Sequence, residues 1–394
     1  MRFVNCNLPE IRIGKGKVSA FVAISMLSVV VCSCVNRPQR EFPLKGERDK
    51  SLAVVDLDTI RADVSDSSCR GNFLMSDTSV YFADASMSAL YEYSPEGKFL
   101  GKRLGKGQGP EEISSMMYAA PLLNARDSIV IIDSSNGMYI YDVAQDHISC
   151  KGVIDFGWGK HEDDYSSPSA YNLMEMSDFG VSFMHRGGDD MVFPLSIVTR
   201  DNSKLNPQRY SEGRIFGLLD EETMEVSEVF GCYPESFTEQ PKPAFEFFSF
   251  CGSPEGGYFV SFAADPRVYL FDSNGSPAYC FGEDPEGVRR IYTIGYDSPY
   301  ETFKKDIGNN PGCNTGLYYD GKNDILFRTT MTDFESGKVF LQGYRGNNLV
   351  LEEEMPPYFK LLGQIGDTYI GVRFIPEDNG DDNMNFTIYR FRVC

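Results

Sequence analysis

Tryptophan occurs once in these 394 residues, histidine three times, and no two cysteines form a C-x-x-C pair. Without C-x-x-C, the ten cysteines do not read as a zinc knuckle or as a dense disulfide framework. Cys6 and Cys32 stand in the N-terminal segment. Beyond Cys34 seven remain, an odd and widely spaced set: Cys69, Cys150, Cys232, Cys251, Cys280, Cys313 and Cys394. Most of these read as small core residues inside strands. Basic clusters are also missing. Lys and Arg number 37 against 57 Asp and Glu, for a net charge of −20, and such a surface repels nucleic acid. His147, His161 and His185 lie far apart, so no Ser/His/Asp or Cys/His order can be assigned. Past Leu52 the helical period is almost absent as well.

The one long apolar run is "VSAFVAISMLSVVV", Val18 to Val31. It follows Arg2, Arg12, Lys15 and Lys17, and falls short of the roughly 20 residues needed to span a bilayer. Charged flank, apolar core and the small residue Ser33 describe an export signal over residues 1–33. "VCSC" then resembles a bacterial lipobox with Val31 at −3, Ser33 at −1 and Cys34 as the lipid acceptor; Cys32 at −2 departs from the usual small residue. An ordinary cleaved signal is the alternative. Residues 34–50 would form a tether and residues 51–394 the folded domain. Losing four basic residues and Glu10 would leave that part near −23. A lipidated N-terminus implies an envelope protein held at a membrane by its acyl chains.

Short β-rich runs alternate with turns throughout: "SVYFAD", "ALYEYS", "SIVIID", "MYIYDV". An apolar residue followed by Gly closes a strand four times, at Leu104-Gly105, Phe156-Gly157, Phe230-Gly231 and Phe281-Gly282. Hairpin turns such as "SPEGK" and "DSNGS" precede two of them. The unit is a four-stranded meander, and six can be counted: 70–105, 114–157, 170–231, 245–282, 315–355 and 358–394. The last offers only three strands, so "SLAVVDL", Ser51 to Leu57, is expected to complete it. The fold class is therefore all-β, a six-bladed β-propeller closed by an N-terminal strand. A pair of β-sandwich domains is the competing arrangement.

The lipobox, six irregular blades and "GQGPEE" (Gly107 to Glu112) together resemble the TolB-like six-bladed propeller lipoproteins of Bacteroidota. That resemblance implies a fold and a location, and no reaction. Surface-exposed lipoproteins of such bacteria often carry acidic residues after the acceptor. Val35-Asn36-Arg37-Pro38 does not, so the resemblance points to an outer-membrane anchor facing the periplasm.

"LGKGQGPEE", Leu104 to Glu112, looks like a phosphate cradle but lacks the G-x-x-x-x-G-K-[ST] order and any following helix. It reads as a link between blades, with Glu111 or Glu112 accepting hydrogen bonds from a neighbouring blade. The loops expected on that face carry Lys106, Gln108, Trp158, Lys160, His161, Arg186, Arg267, Arg289 and Arg290. Together they would make a basic, partly aromatic ligand site for a small anion or glycan; scattered surface charge is the plainer reading. Trp158 suits sugar stacking or packing over the rim. His161 with Glu162, Asp163 and Asp164 reads as a solvated acidic loop rather than a metal site. "PEDNGDDNMN", Pro376 to Asn385, has oxygens for calcium without the calcium-loop spacing, and reads as a hairpin tip.

The sequence thus favours a non-catalytic binding lipoprotein that holds a small anionic or glycan ligand or another envelope protein. No catalytic residue, metal ligand or cofactor is assigned, calcium being the one ion left open. The alternative is a metal-dependent hydrolase or lactonase-like propeller with its site at the channel mouth. A scaffold for an envelope complex is the third reading.

Overall fold

Three of the blade runs are apolar on both sides of the pleat. "VYFAD" (Val80–Asp84), "ALYEY" (Ala89–Tyr93) and "YFVSF" (Tyr258–Phe262) are buried at every position, although an antiparallel strand with one wet face would alternate. Both faces of these sheets must therefore be covered, and a ring of blades standing face to face does this. The outer strand Phe99–Arg103, at the rim, is partly or fully exposed throughout. In a computed structural model of the chain, residues 42–62, 66–107, 109, 112–160, 163–174, 181–199, 204–298, 304–375, 377–378 and 384–394 are described.

They form a six-bladed β-propeller. Five blades follow the chain in order, with first strands Gly71–Met75, Tyr118–Pro121, Tyr171–Leu173, Phe248–Gly252 and Cys313–Asp320. Their last strands are Phe99–Arg103, His147–Val153, Val226–Phe230, Pro277–Phe281 and Asn348–Met355. Blade 3 carries an additional strand, Met184–Gly187, beside Asp190–Ile197. The sixth blade takes Phe359–Ile365, Thr368–Arg373 and Met384–Val393 from the C-terminus, and its outer strand, Val54–Ala62, from the other end of the chain. Val54 faces Val393 and Ala62 faces Phe386 in that closing pair. The expected closing strand is present, a few residues later than "SLAVVDL".

The recurring apolar–Gly signature has a conformational cause. Gly157, Gly231 and Gly282 take φ of 64°, 74° and 80° where the chain leaves an outer strand; at the first repeat Leu104 itself takes φ 60°. A Cβ on Gly231 would lie 2.7 Å from the Ile215 side chain, so this turn needs glycine on both counts.

Aromatic side chains fill the space between blades. Phe216 of blade 3 packs against Phe248, Phe250 and Tyr258 of blade 4, and Phe73 and Phe82 of blade 1 meet Phe386 of blade 6. Residues 42–53 lie along the rim before the first strand. Phe42 sits edge-on to Tyr269 and Phe271, Lys45 donates to the Cys280 carbonyl, and Leu52 donates to that of Val350.

Two buried arginines pin the blades. Arg328, fully buried, donates to the carbonyls of Pro266 (2.7 Å) and Glu283 (2.5 Å) and to Gln342 Oε1, tying blade 5 to blade 4. Arg209 grips Glu246 with two bonds of 3.0 and 2.9 Å, and Lys204 adds a third at 2.9 Å. Burial alone would raise the Glu246 carboxyl, but Arg209 and Lys204 hold it below the ordinary glutamate range. Of the cysteines from Cys69 onward, Cys232, Cys251, Cys280 and Cys313 are buried and Cys150 and Cys394 exposed.

Because Glu246 titrates lower in the fold than in the unfolded chain, its contribution is complete above the ordinary glutamate range and lost as pH falls through the folded value. Resistance to denaturant should therefore fall with acid below about pH 4.3. Arg209→Met should cost about 3–5 kcal/mol at neutral pH by stranding the carboxylate, and should flatten that acid slope. A variant that unfolds as steeply in acid as the wild type would refute the assignment.

Candidate ligand cavity on the propeller axis

Each first strand starts at the link from the preceding blade and ends at the turn into its own second strand. Residues of the first strands of blades 1, 4, 5 and 6, with the segments that follow the first strands of blades 2 and 3, converge on the axis and enclose a cavity of about 490 Å³, a volume suited to a small molecule. All six blades contribute, through Phe73 and Met75, Leu122 and Arg126, Met184 to Arg186, Phe250, Tyr318, and Lys360. Space is preserved by glycine. A Cβ on Gly363 would lie 2.9 Å from Met75 Sδ and 3.1 Å from the Tyr318 ring, and one on Gly252 would lie 3.0 Å from Met184 Sδ.

The walls are apolar with a few fixed polar groups. Arg126, half-buried, donates to the Gln364 carbonyl at 2.9 Å and meets Asp77 at 3.2 Å. His185 Nδ1 lies 2.9 Å from Glu221 Oε1. Arg186 lies over the Phe230 ring at 5.4 Å, with Glu228 only loosely paired at 3.7 Å. Lys360 is buried. Asn124 and His185 clasp blades 2 and 3 together: Asn124 Nδ2 donates to the His185 carbonyl at 2.8 Å, and the His185 amide donates back at 2.9 Å. Burial pushes the Tyr318 hydroxyl up to about 12, which keeps it protonated and a donor at neutral pH. Asp77 beside Arg126, Glu221 beside His185 and Glu228 beside Arg186 stand outside the lining, and among the described lining residues none is Asp or Glu.

Of the residues singled out in the sequence, Arg186 alone reaches this cavity, from blade 3's additional strand. The rest of the described ones lie at the opposite end, on the links and on the turn between second and third strands. Lys106 is exposed in the two-residue strand Gly105–Lys106, which pairs with Glu112–Ile113. The glycine-rich loop is thus closed on itself: Glu112 accepts from the Gly109 amide at 2.8 Å, within the loop rather than from a neighbouring blade. Trp158 stacks on Phe156 at 5.3 Å and donates to the Tyr171 carbonyl at 2.9 Å, which is packing over the rim. Lys160 and Arg289 are exposed. Arg267 is bonded to the Gly282 carbonyl and Arg290 is gripped by Asp284. Cys34, Gln108, Glu111 and His161 lie outside the described residues, as does most of 376–385. Among the described residues no three His, Cys, Asp or Glu side chains gather as metal ligands.

Arg126, His185 and Lys360 were not drawn together by sequence reasoning, which looked for charge in the links. The available signal was a basic residue inside an otherwise apolar first strand, as in "FKLLGQI" (Phe359–Ile365).

No family model matches this sequence, and no curated protein matches it significantly. Among solved structures the chain is similar to a member of the DUF4221 family from Bacteroides vulgatus, with a TM-score of 0.63 and 10% identity over 88% of this chain and 99% of that one. A looser likeness, TM-score 0.47 and 13% identity, joins 89% of it to 99% of a Bacteroides fragilis protein described as exported. A luciferin-regenerating enzyme follows at TM-score 0.42 and 11% identity, over 85% of this chain and 95% of that one. At these identities the likeness is one of fold: a six-bladed propeller.

Trp158→Phe keeps the stack on Phe156 and removes the bond to Tyr171. A loss of about 0.5–1.5 kcal/mol in thermal stability is expected, with ligand binding in the axial cavity unchanged. Weakened binding with unchanged stability would instead return Trp158 to a recognition role.

Proposed function

We propose that this protein is an envelope lipoprotein whose propeller holds a small, partly apolar anion in its axial cavity, without turning it over. The observation that carries the reading is the charge of the lining. Arg126, His185, Arg186 and Lys360 face a cavity to which no described carboxylate contributes, in a chain of net charge −20. A basic cavity within an acidic body concentrates field on an anion, repels cations and gives a neutral molecule no such attraction. The arginines suit a carboxylate, sulfate or phosphate, and Met75, Leu122 and Phe250 suit an apolar body or a sugar face. Cys34 would carry the lipid and the propeller would face the periplasm, following the reading of the N-terminal segment.

Isothermal calorimetry with octanoate, octyl sulfate and neutral octanol tests the cavity. The two anions should bind and the alcohol should not, and Arg186→Glu should weaken the anions at least tenfold, about 1.4 kcal/mol or more. Equal affinity for octanol, or an unaffected Arg186→Glu, would overturn the reading. Radiolabelled palmitate supplied to cells should enter the wild-type protein and be lost in Cys34→Ala; label retained in that variant would refute the acceptor.

A further inference from the structure

A second pocket, of about 650 Å³, opens at the opposite end of the propeller from the axial cavity. Its walls come from the link into blade 4 (Ser236 to Lys242), the turn between that blade's second and third strands (Ala264 to Pro266), and the link into blade 5 (Arg290 to Gly295). Gln240 holds the two links together, its side-chain amide donating to the carbonyls of Tyr292 (2.8 Å) and Ile294 (3.2 Å). Lys242 stands in "QPKPAF", between two prolines that restrict the backbone carrying it.

Lys242 is only 6% exposed, and a lysine so buried normally has a carboxylate partner. Here its Nζ donates to the Ser236 carbonyl and lies over the rings of Phe237 (4.5 Å) and Tyr292 (5.9 Å), and it makes no ion pair among the described residues. The two nearest acids stand off: the Asp265 carboxylate is already engaged by the Ser236 and Tyr269 hydroxyls, and Glu239 lines the pocket. Arg290, the other cation of the pocket, is held by Asp284 at 2.7 Å, with further bonds to the Ala263 and Gly312 carbonyls and to Asn314. The pocket therefore presents one buried amine with one acceptor, one aromatic wall at Tyr292 and room for a ligand.

We propose that Lys242 is a carbonyl-capturing amine, and that this pocket binds a small aldehyde or ketone by forming an imine with it. The neutral amine adds its lone pair to the carbonyl carbon, forming the C–N bond. The carbinolamine then loses its oxygen as water, both hydrogens coming in net from the amine nitrogen, and a C=N bond remains. No oxidant or reductant is needed. Glu239, on the pocket wall, is the group available to pass the proton from nitrogen to the leaving oxygen. The amine is prepared for this step: burial lowers Lys242 to about 8, with Arg290 acting in the same sense and Asp265 and Glu239 opposing it. This inference is independent of the axial cavity.

The test treats the full chain with salicylaldehyde and sodium cyanoborohydride from pH 6 to 10, then maps labelled lysines by peptide mass spectrometry. Lys242 should be labelled at least about tenfold faster than exposed Lys106 and Lys160 at pH 7, with a midpoint near 8 rather than near 10.4. Lys242→Arg should abolish the fast label and leave the slow ones. Labelling of Lys242 no faster than at the exposed lysines, or a midpoint near 10.4, would overturn the proposal. The pH profile comes from the wild-type protein, so it decides even where the variant does not fold. Glu239→Gln should slow labelling at Lys242 alone if the proton relay holds; an unchanged rate removes Glu239 from the step.

Discussion

A sheet whose two faces are both apolar must be covered on both, and a row of such sheets covers its end faces by closing into a ring. That constraint governs this molecule. Val80–Asp84 and Tyr258–Phe262 have no wet side, so each blade needs a neighbour on either hand. The last neighbour is made by joining the two ends of the chain: Val54–Ala62 completes the blade begun by Phe359–Ile365 and ends the run of open edges. Ring closure thus depends on a pairing over more than three hundred residues, while nearly every other strand pairs locally.

Closure also explains where charge is buried. Turns and links leave some backbone carbonyls outside the strand ladders, and buried ones need another donor. Arg328 supplies donors to two such carbonyls, at Pro266 and Glu283, and Arg209 with Glu246 does the same work between blades 3 and 4, reaching the Ile197 carbonyl at 3.1 Å. These groups satisfy buried acceptors that would otherwise cost free energy, so they serve the fold and are not available to a ligand. Arg267 and Arg290, which in the sequence look like ligand grips, are engaged in the same way.

The chemistry is consequently divided between two ends. On the axis all six blades meet around a cavity with Arg126, Arg186 and Lys360 on its wall, its space kept by Gly252 and Gly363. At the link end, longer insertions such as the one holding Lys242 build a pocket away from the axis. One scaffold therefore carries an axial cavity lined by all six blades and an off-axis pocket built around a buried amine.

The sequence by itself determined the class, the number of blades, their boundaries to within a few residues and the closing strand. These are written in local features: apolar runs of strand length, hairpin turns, and a glycine with positive φ where the chain leaves three of the outer strands, at Gly157, Gly231 and Gly282. It also showed that "LGKGQGPEE" is a link, because the spacing for a phosphate loop is missing. Only the tertiary structure decided which end holds the cavity, which cations are spent on carbonyls, and which lysines are buried. Those properties depend on contacts between residues far apart in sequence, such as Asn124 with His185 or Gly363 with Met75. A charge in a loop looks the same in the sequence whether it faces water, a neighbouring backbone or a ligand; the fold sets which.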